Sequence, residues 1–222
     1  MIQLIQQKRL SDILNDQTYG GLDYDPLLPN NTFVREKKNG RDVPNKCGRD
    51  AFAYMLRYVG MKKNRCAFTH PKELEGFLGA KLPSWLVWSG LSLWNVPRVF
   101  QSFGKTVHLD RRPCKTGFAL LRHIYGTTLL SSSAALWLVK DCIARKKPCA
   151  VQLSMGLKGI KNHMVFVLGY TSDGLLVLDT HEVPEFGYER VSGANPDQYI
   201  FYISDDVFRA QWALWSKVYH LE

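Results

Sequence analysis

The 222-residue chain has no run of about 18 uninterrupted apolar residues, the length a helix needs to cross a bilayer. Its opening, MIQLIQQKRL, lacks the apolar core of a secretory signal. No membrane span and no export address are therefore expected, and the expected location is the cytoplasm, of the producing cell or of a host into which the protein is delivered. The five cysteines, Cys47, Cys66, Cys114, Cys142 and Cys149, are odd in number and include no C-x-x-C pair. A disulfide scaffold or zinc ribbon is thereby disfavoured. Cys66 with His70 is the nearest approach to a ligand pair, but no second pair of matching spacing follows, so no metal site is expected. Internal repeats and low-complexity tracts are also missing. The net charge of +9, from 29 Lys and Arg against 20 Asp and Glu, is spread in short groups: Arg35 to Lys38, Lys62 to Arg65 and Arg145 to Lys147. Without interleaved aromatics these groups read as solvated surface, which argues against nucleic acid as a partner.

The chain does have ample apolar material for one substantial core, with 45% hydrophobic residues. Residues 1–45 read as an N-terminal arm: a short amphipathic stretch (Ile2, Ile5, Leu10, Ile13, Leu14), then the loop-like YGGLDYDPLLPNN. Residues 46–222 read as the domain proper, mainly helical over 46–147 and mainly β over 148–222, an α+β class. From Cys47 the pattern is helical, with Ala51, Phe52, Met55, Leu56 and Val59 on one face, Asp50 in the first turn and Gly60 as the stop. Residues 71–104 also read as helical; their Trp85, Trp88 and Trp94 are expected in the core. A strand, TVHL, and a helix from Ala134 to Arg145 follow. The last third offers four apolar runs, CAVQL, HMVFVLGY, LLVLD and YIFYI, bounded by turn residues. Ser172, Asp173 and Gly174 supply the turn of a hairpin with His163 at the start of one arm and Asp179 at the end of the other. A last helix is expected from Val207 to Tyr219 behind the acidic cap Asp205 and Asp206.

Chemistry is most readily assigned to Cys47. A thiol attacks as thiolate, a form favoured by the unpaired amides of a helix N-terminus. Cys66, Cys114, Cys142 and Cys149 have no such setting and read as small core hydrophobes or surface thiols. A reactive thiol further needs an imidazole to take its proton and a third group to orient that ring. The predicted hairpin offers both, bringing Asp179 beside His163. Among the other histidines, His108, His123 and His220 lack such a strand partner, and His181 is the second choice of base because it lies close to Asp179.

These residues resemble the papain-like cysteine peptidases of the C39 and C39-like group, known from the peptidase domains of bacteriocin-exporting ABC transporters. The likeness spans about residues 45 to 182. A Cys-Gly pair opens a helix in NKCGRDAFAYMLRYVG, and KKPCAVQL followed by HMVFVLGYTSDGLLVLD matches the family's second block at Pro148, His163, Gly169 and Asp179. VPRVFQSFGKTVHL between them resembles the helix, Gly and strand passage of the family. The resemblance implies a papain-like fold, in which the Cys-bearing helix of a helical N-terminal lobe packs on a C-terminal antiparallel sheet. It also implies a Cys47, His163, Asp179 triad. Two positions depart from the pattern. Arg41 stands where the family carries the Gln that donates to the oxyanion, a donor whose loss costs on the order of 10² to 10³ in rate, and Thr180 follows Asp179 where Pro is common. Arg41 itself, or Asn45 by a register shift, is a candidate replacement donor beside the Cys47 amide.

The implied activity is hydrolysis of peptide bonds through a thioester, with no metal or organic cofactor and with a protein or peptide as partner: a polyprotein, a leader peptide or a host protein. Gly20 and Gly21 form a double glycine of the kind the family's transporter peptidases cleave after, so self-processing at Gly21 is a further expectation. Two other readings share the residues. A transglutaminase-like acyltransferase uses the same Cys, His, Asp order with an amine as acceptor. A non-catalytic papain-like binding or regulatory module would keep the fold without the oxyanion donor.

Overall fold

A computed structural model describes residues 8–23, 37–38, 41–42, 47–48, 50–51, 54–55, 58, 107–111, 128–155, 161–179, 187–192, 200–212 and 216–221. The class is α+β, with helices against a largely antiparallel sheet. In chain order the labelled elements are α1 (Leu10–Leu14), β1 (Gly20–Gly21), β2 (Lys37–Lys38), β3 (Arg41–Asp42), β4 (Val107–Arg111), β5 (Thr128–Leu129) and α2 (Ser132–Ala144). They continue with β6 (Cys149–Met155), β7 (Lys161–Tyr170), β8 (Gly174–Leu178), β9 (Glu189–Arg190), β10 (Ile200–Ser204), α3 (Asp205–Gln211) and β11 (Lys217–Leu221). Between β3 and β4 the described residues from Cys47 to Tyr58 are helical and are called the Cys47 helix.

Among the described residues nine strands form one sheet in the order β5-β4-β11-β6-β7-β8-β10-β9, with β1 added beside β7. Among the described strand pairs, β4 with β5 is the parallel one. The long strands at the centre read as nearly unbroken apolar runs because both of their faces are covered. Val151, Leu153, Phe166, Val167, Val177, Ile200 and Ile203 are all essentially inaccessible to solvent. Tyr54 of the Cys47 helix stacks on Phe166 of β7, ring centroids 5.8 Å apart, and Ala51, Met55 and Tyr58 are buried in the same core. Burial of each large side chain there stabilises the fold by about 1.5 to 3 kcal/mol.

Helix α2 shows how local sequence sets an element's ends. Ser131 caps it by accepting from the Ala134 amide at 3.2 Å. Ala135, Leu136, Val139, Cys142 and Ile143 form its buried stripe. At the other end the Lys147 amide donates to the Cys142 carbonyl and the Lys146 amide to that of Ile143, with Lys146 in the left-handed region at φ 56°. Glycine is the usual occupant of that position. The lysine has a separate use, since its Nζ reaches the Gly21 carbonyl at 2.5 Å and Asp23 at 3.1 Å.

Those contacts belong to a set that ties the N-terminal segment to the sheet. The sequence read YGGL as loop, but Gly20 and Gly21 pair antiparallel with Tyr170 and Gly169, beyond Val167, the last β7 residue that β6 reaches. Strand β1 thus continues the ladder on the side of β7 that β6 leaves. The glycines allow this close approach: a Cβ on Gly169 would lie 2.7 Å from the Tyr19 ring and 3.0 Å from the Gly20 carbonyl oxygen. Leu10, Ile13 and Leu22 enter the core.

The expected last helix from Val207 to Tyr219 is corrected. The chain is helical only as far as Gln211, and Lys217–Leu221 is a strand between β4 and β6. Helical periodicity runs on through VFRAQWALW, but the ladder to two distant strands claims KVYHL, and a local pattern carries no information about those partners. The helix expected over 71–104 and its tryptophans lie outside the described residues.

Candidate active site

Strand register brings the first two functional groups together. Strands β7 and β8 pair Phe166 with Leu178 and Val167 with Val177. One further step of that register sets Asp179 opposite Val165, and His163 lies two residues along on the same face. Asp179 and His163 are therefore diagonal neighbours across the strand pair, within reach of each other's side chains. The irregularity in the ladder falls between Val167 and Gly169, on the turn side of the pair, and leaves this relationship undisturbed. His163 Nε2 is 2.5 Å from Asp179 Oδ2, with side chains 5% and 1% exposed. An ionised carboxylate only accepts, so Nε2 carries the hydrogen and donates.

Cys47 supplies the third group. It is half-buried on the Cys47 helix, packed against the core cluster, and lies near enough to the His163 ring to act on its charge. With Nε2 on the carboxylate, Nδ1 is the nitrogen on the other side of the ring. Burial of the ring opposes its charge, but the Asp179 carboxylate, through its charge and its hydrogen bond, and Cys47 in the same two ways outweigh this and raise the imidazolium to about 10. His163 thus holds a proton through neutral pH beside the Cys47 sulfur, with an acceptor fixed behind it. Such an arrangement can pass a proton between sulfur, ring and a group bound in front of them.

A fourth residue at this centre was not singled out by the sequence reading. The Tyr188 hydroxyl donates to Asp179 Oδ2, the oxygen that also accepts from His163. Tyr188 belongs to no motif and follows Gly187, whose φ of +63° turns the chain. The only local signal was a glycine beside an aromatic ahead of the short strand β9.

The remaining expected residues divide clearly. Arg41 lies in β3, paired with Lys38 of β2, and its side chain is outside the described residues, as are Asn45, Thr180 and the alternative base His181. Cys142 and Cys149 are buried and unbridged. Burial, aided by nearby Cys142, pushes the Cys149 thiol well up, the setting of an inert core residue. Among the described residues no group of three or more His, Cys, Asp or Glu gathers as a metal site would, and no helix is long and apolar enough to cross a membrane. Gly21 is not brought to Cys47: it pairs with Gly169, six residues along β7 from His163, or roughly 20 Å of strand.

No protein-family model matches the chain, and no curated protein matches it either.

Proposed function

We propose that this chain is a papain-like cysteine peptidase in which Cys47 is the nucleophile, His163 the general acid and base, and Asp179 the group that orients His163. The observation that carries the reading is the His163 ring bound to the buried Asp179 carboxylate, with Cys47 near enough to act on the ring's charge. The helix-borne thiol and the sheet-borne imidazole also match the division of labour in a papain-like fold.

The chemistry follows from the proton positions. In the resting pair the proton shared with the sulfur already sits on His163, and Cys47 Sγ adds directly to the carbonyl carbon of the scissile peptide bond, whose π pair moves to the oxygen. The protonated ring, kept cationic through neutral pH, then gives its proton to the leaving amine as the C–N bond breaks. This leaves a thioester on Cys47. Water attacks the thioester while His163 accepts its proton, the C–S bond breaks with its electron pair returning to sulfur, and the acid product leaves the cationic ring and the sulfur as they began. Asp179 remains an acceptor from Nε2 throughout. An amine in place of water would turn the same steps into acyl transfer.

The test is cleavage of a peptide library by the wild type and by Cys47→Ala, read by mass spectrometry. Cleavage by the wild type, lost in the variant, supports the proposal. A folded wild type that neither cleaves any member nor joins an added amine to it would overturn it in favour of a binding module, a reading motivated by Arg41 at the oxyanion position.

A further inference from the structure

Asp179 is held by two elements at once. From β7 it receives His163 Nε2–H, and from the segment before β9 it receives the Tyr188 hydroxyl, both on Oδ2. One carboxylate oxygen has two lone pairs and can serve both donors. Tyr188 is itself well anchored. Its ring lies against Phe201 of β10, centroids 4.6 Å apart and tilted by 53°. Phe201 pairs with Val177 of β8, two residues before Asp179, and with Arg190 of β9, two residues after Tyr188. The strand that backs the carboxylate therefore also sets the tyrosine that donates to it.

We propose that Tyr188 is a positioning residue of this site, whose hydroxyl fixes the plane of the Asp179 carboxylate and shares its charge, so that His163 keeps Nε2 toward Asp179 and Nδ1 toward Cys47. A carboxylate held by a single donor can turn about its Cβ–Cγ bond and exchange oxygens, and the imidazole turns with it. A second donor on the same oxygen, from a different segment of the chain, removes that freedom. It also competes with His163 for Oδ2, so it moderates the pull of the carboxylate on the ring proton. Asp179 and Cys47 both act on the His163 charge, and Tyr188 acts on the first of them. This inference deepens the peptidase reading and rests on it for its catalytic meaning, but the contact itself can be tested without substrate.

The experiment is a titration of His163 by nitrogen-15 NMR of the imidazole, on the full chain, in the wild type, Tyr188→Phe, Asp179→Asn and the double variant. Tyr188→Phe keeps the ring on Phe201 and removes only the hydroxyl, and its thermal midpoint is measured alongside. The expected result is a His163 midpoint displaced by about half a pH unit or more in Tyr188→Phe, the size that one hydrogen bond to a charged group implies. Upward displacement means that charge sharing dominates, and downward displacement means that the carboxylate has swung away; both support the proposal. In the Asp179→Asn background the same substitution should leave the midpoint unmoved. A midpoint unchanged in Tyr188→Phe, or a displacement that persists without the carboxylate, would overturn it and leave Tyr188 a packing residue. Because no turnover is read, failure of this inference is distinct from failure of the peptidase reading.

Discussion

Strand β8 has an aspartate at each end, Asp173 just before it and Asp179 just after, and the two are furnished alike. Asp173 accepts from the Tyr202 hydroxyl, from Thr171 at 2.7 Å and from the Lys8 ammonium at 2.9 Å. Asp179 accepts from the Tyr188 hydroxyl and from the His163 ring. The difference is water: the Asp173 side chain is 61% exposed and that of Asp179 1%. In solvent such a cluster latches the N-terminal segment to the hairpin turn, and Lys8 lies over the Tyr202 ring at 3.8 Å besides. Away from solvent the same kinds of donor make a unit whose proton positions are fixed and whose charges are strongly coupled. Burial, not the choice of partners, separates latch from site.

Breaking each end should expose that difference. Asp179→Ala leaves a buried cationic ring without its partner and should cost about 3 to 5 kcal/mol in urea unfolding; any peptidase activity should fall by on the order of 10⁴. Gly169→Ala tests the latch end of β7. Its Cβ meets the Tyr19 ring and the Gly20 backbone, so a cost of about 1 to 3 kcal/mol is expected. Faster proteolytic nicking within residues 15–23 should accompany it, with peptide cleavage retained because His163 lies far along the strand. Lys8→Ala removes an exposed pair and should cost less than about 1 kcal/mol, further masked by salt. Equal costs for Asp179→Ala and Lys8→Ala would contradict the comparison.

The two ends should also fail at opposite limits of pH. His163 has its folded value raised to about 10 from an ordinary 6.5. Its contribution is fully present below about 6.5 and is lost as pH rises through 10. Partial burial of Asp173 opposes its ionisation, yet hydrogen bonds from Tyr202, Lys8 and Thr171 hold it well below the usual carboxylate range. Its contribution is present above about 3.8 and lost as pH falls toward the lowered folded value, a small effect at so exposed a group. Urea midpoints should therefore decline on the alkaline side in the wild type more than in His163→Gln. Parallel curves would contradict the assignment.

Much of this was legible in the sequence. The hairpin was, because Ser172, Asp173 and Gly174 interrupt two apolar runs, and with it the nearness of His163 to Asp179. The strand TVHL, observed as Val107–Arg111, was legible behind Gly104, and helix α2 from its apolar pattern and the break at Pro148. Strand β11 was not, since its place between β4 and β6 depends on partners far away in the chain. Nor was the pairing of Gly20 and Gly21, where the absence of side chains, read locally as a loop signal, permits a close backbone approach. Tyr188 was illegible for a related reason: its partner is fixed by β10, and nothing in GYER points to a carboxylate.

The most direct test of the central claim is the site of alkylation by iodoacetamide near pH 6, mapped over all five thiols in the wild type and in His163→Ala. Cys47 should be labelled well ahead of Cys66, Cys114, Cys142 and Cys149, and the preference should vanish when the imidazole is removed. Labelling of Cys47 at the same rate with and without His163, or no preference among the five, would contradict a shared proton between that sulfur and that ring.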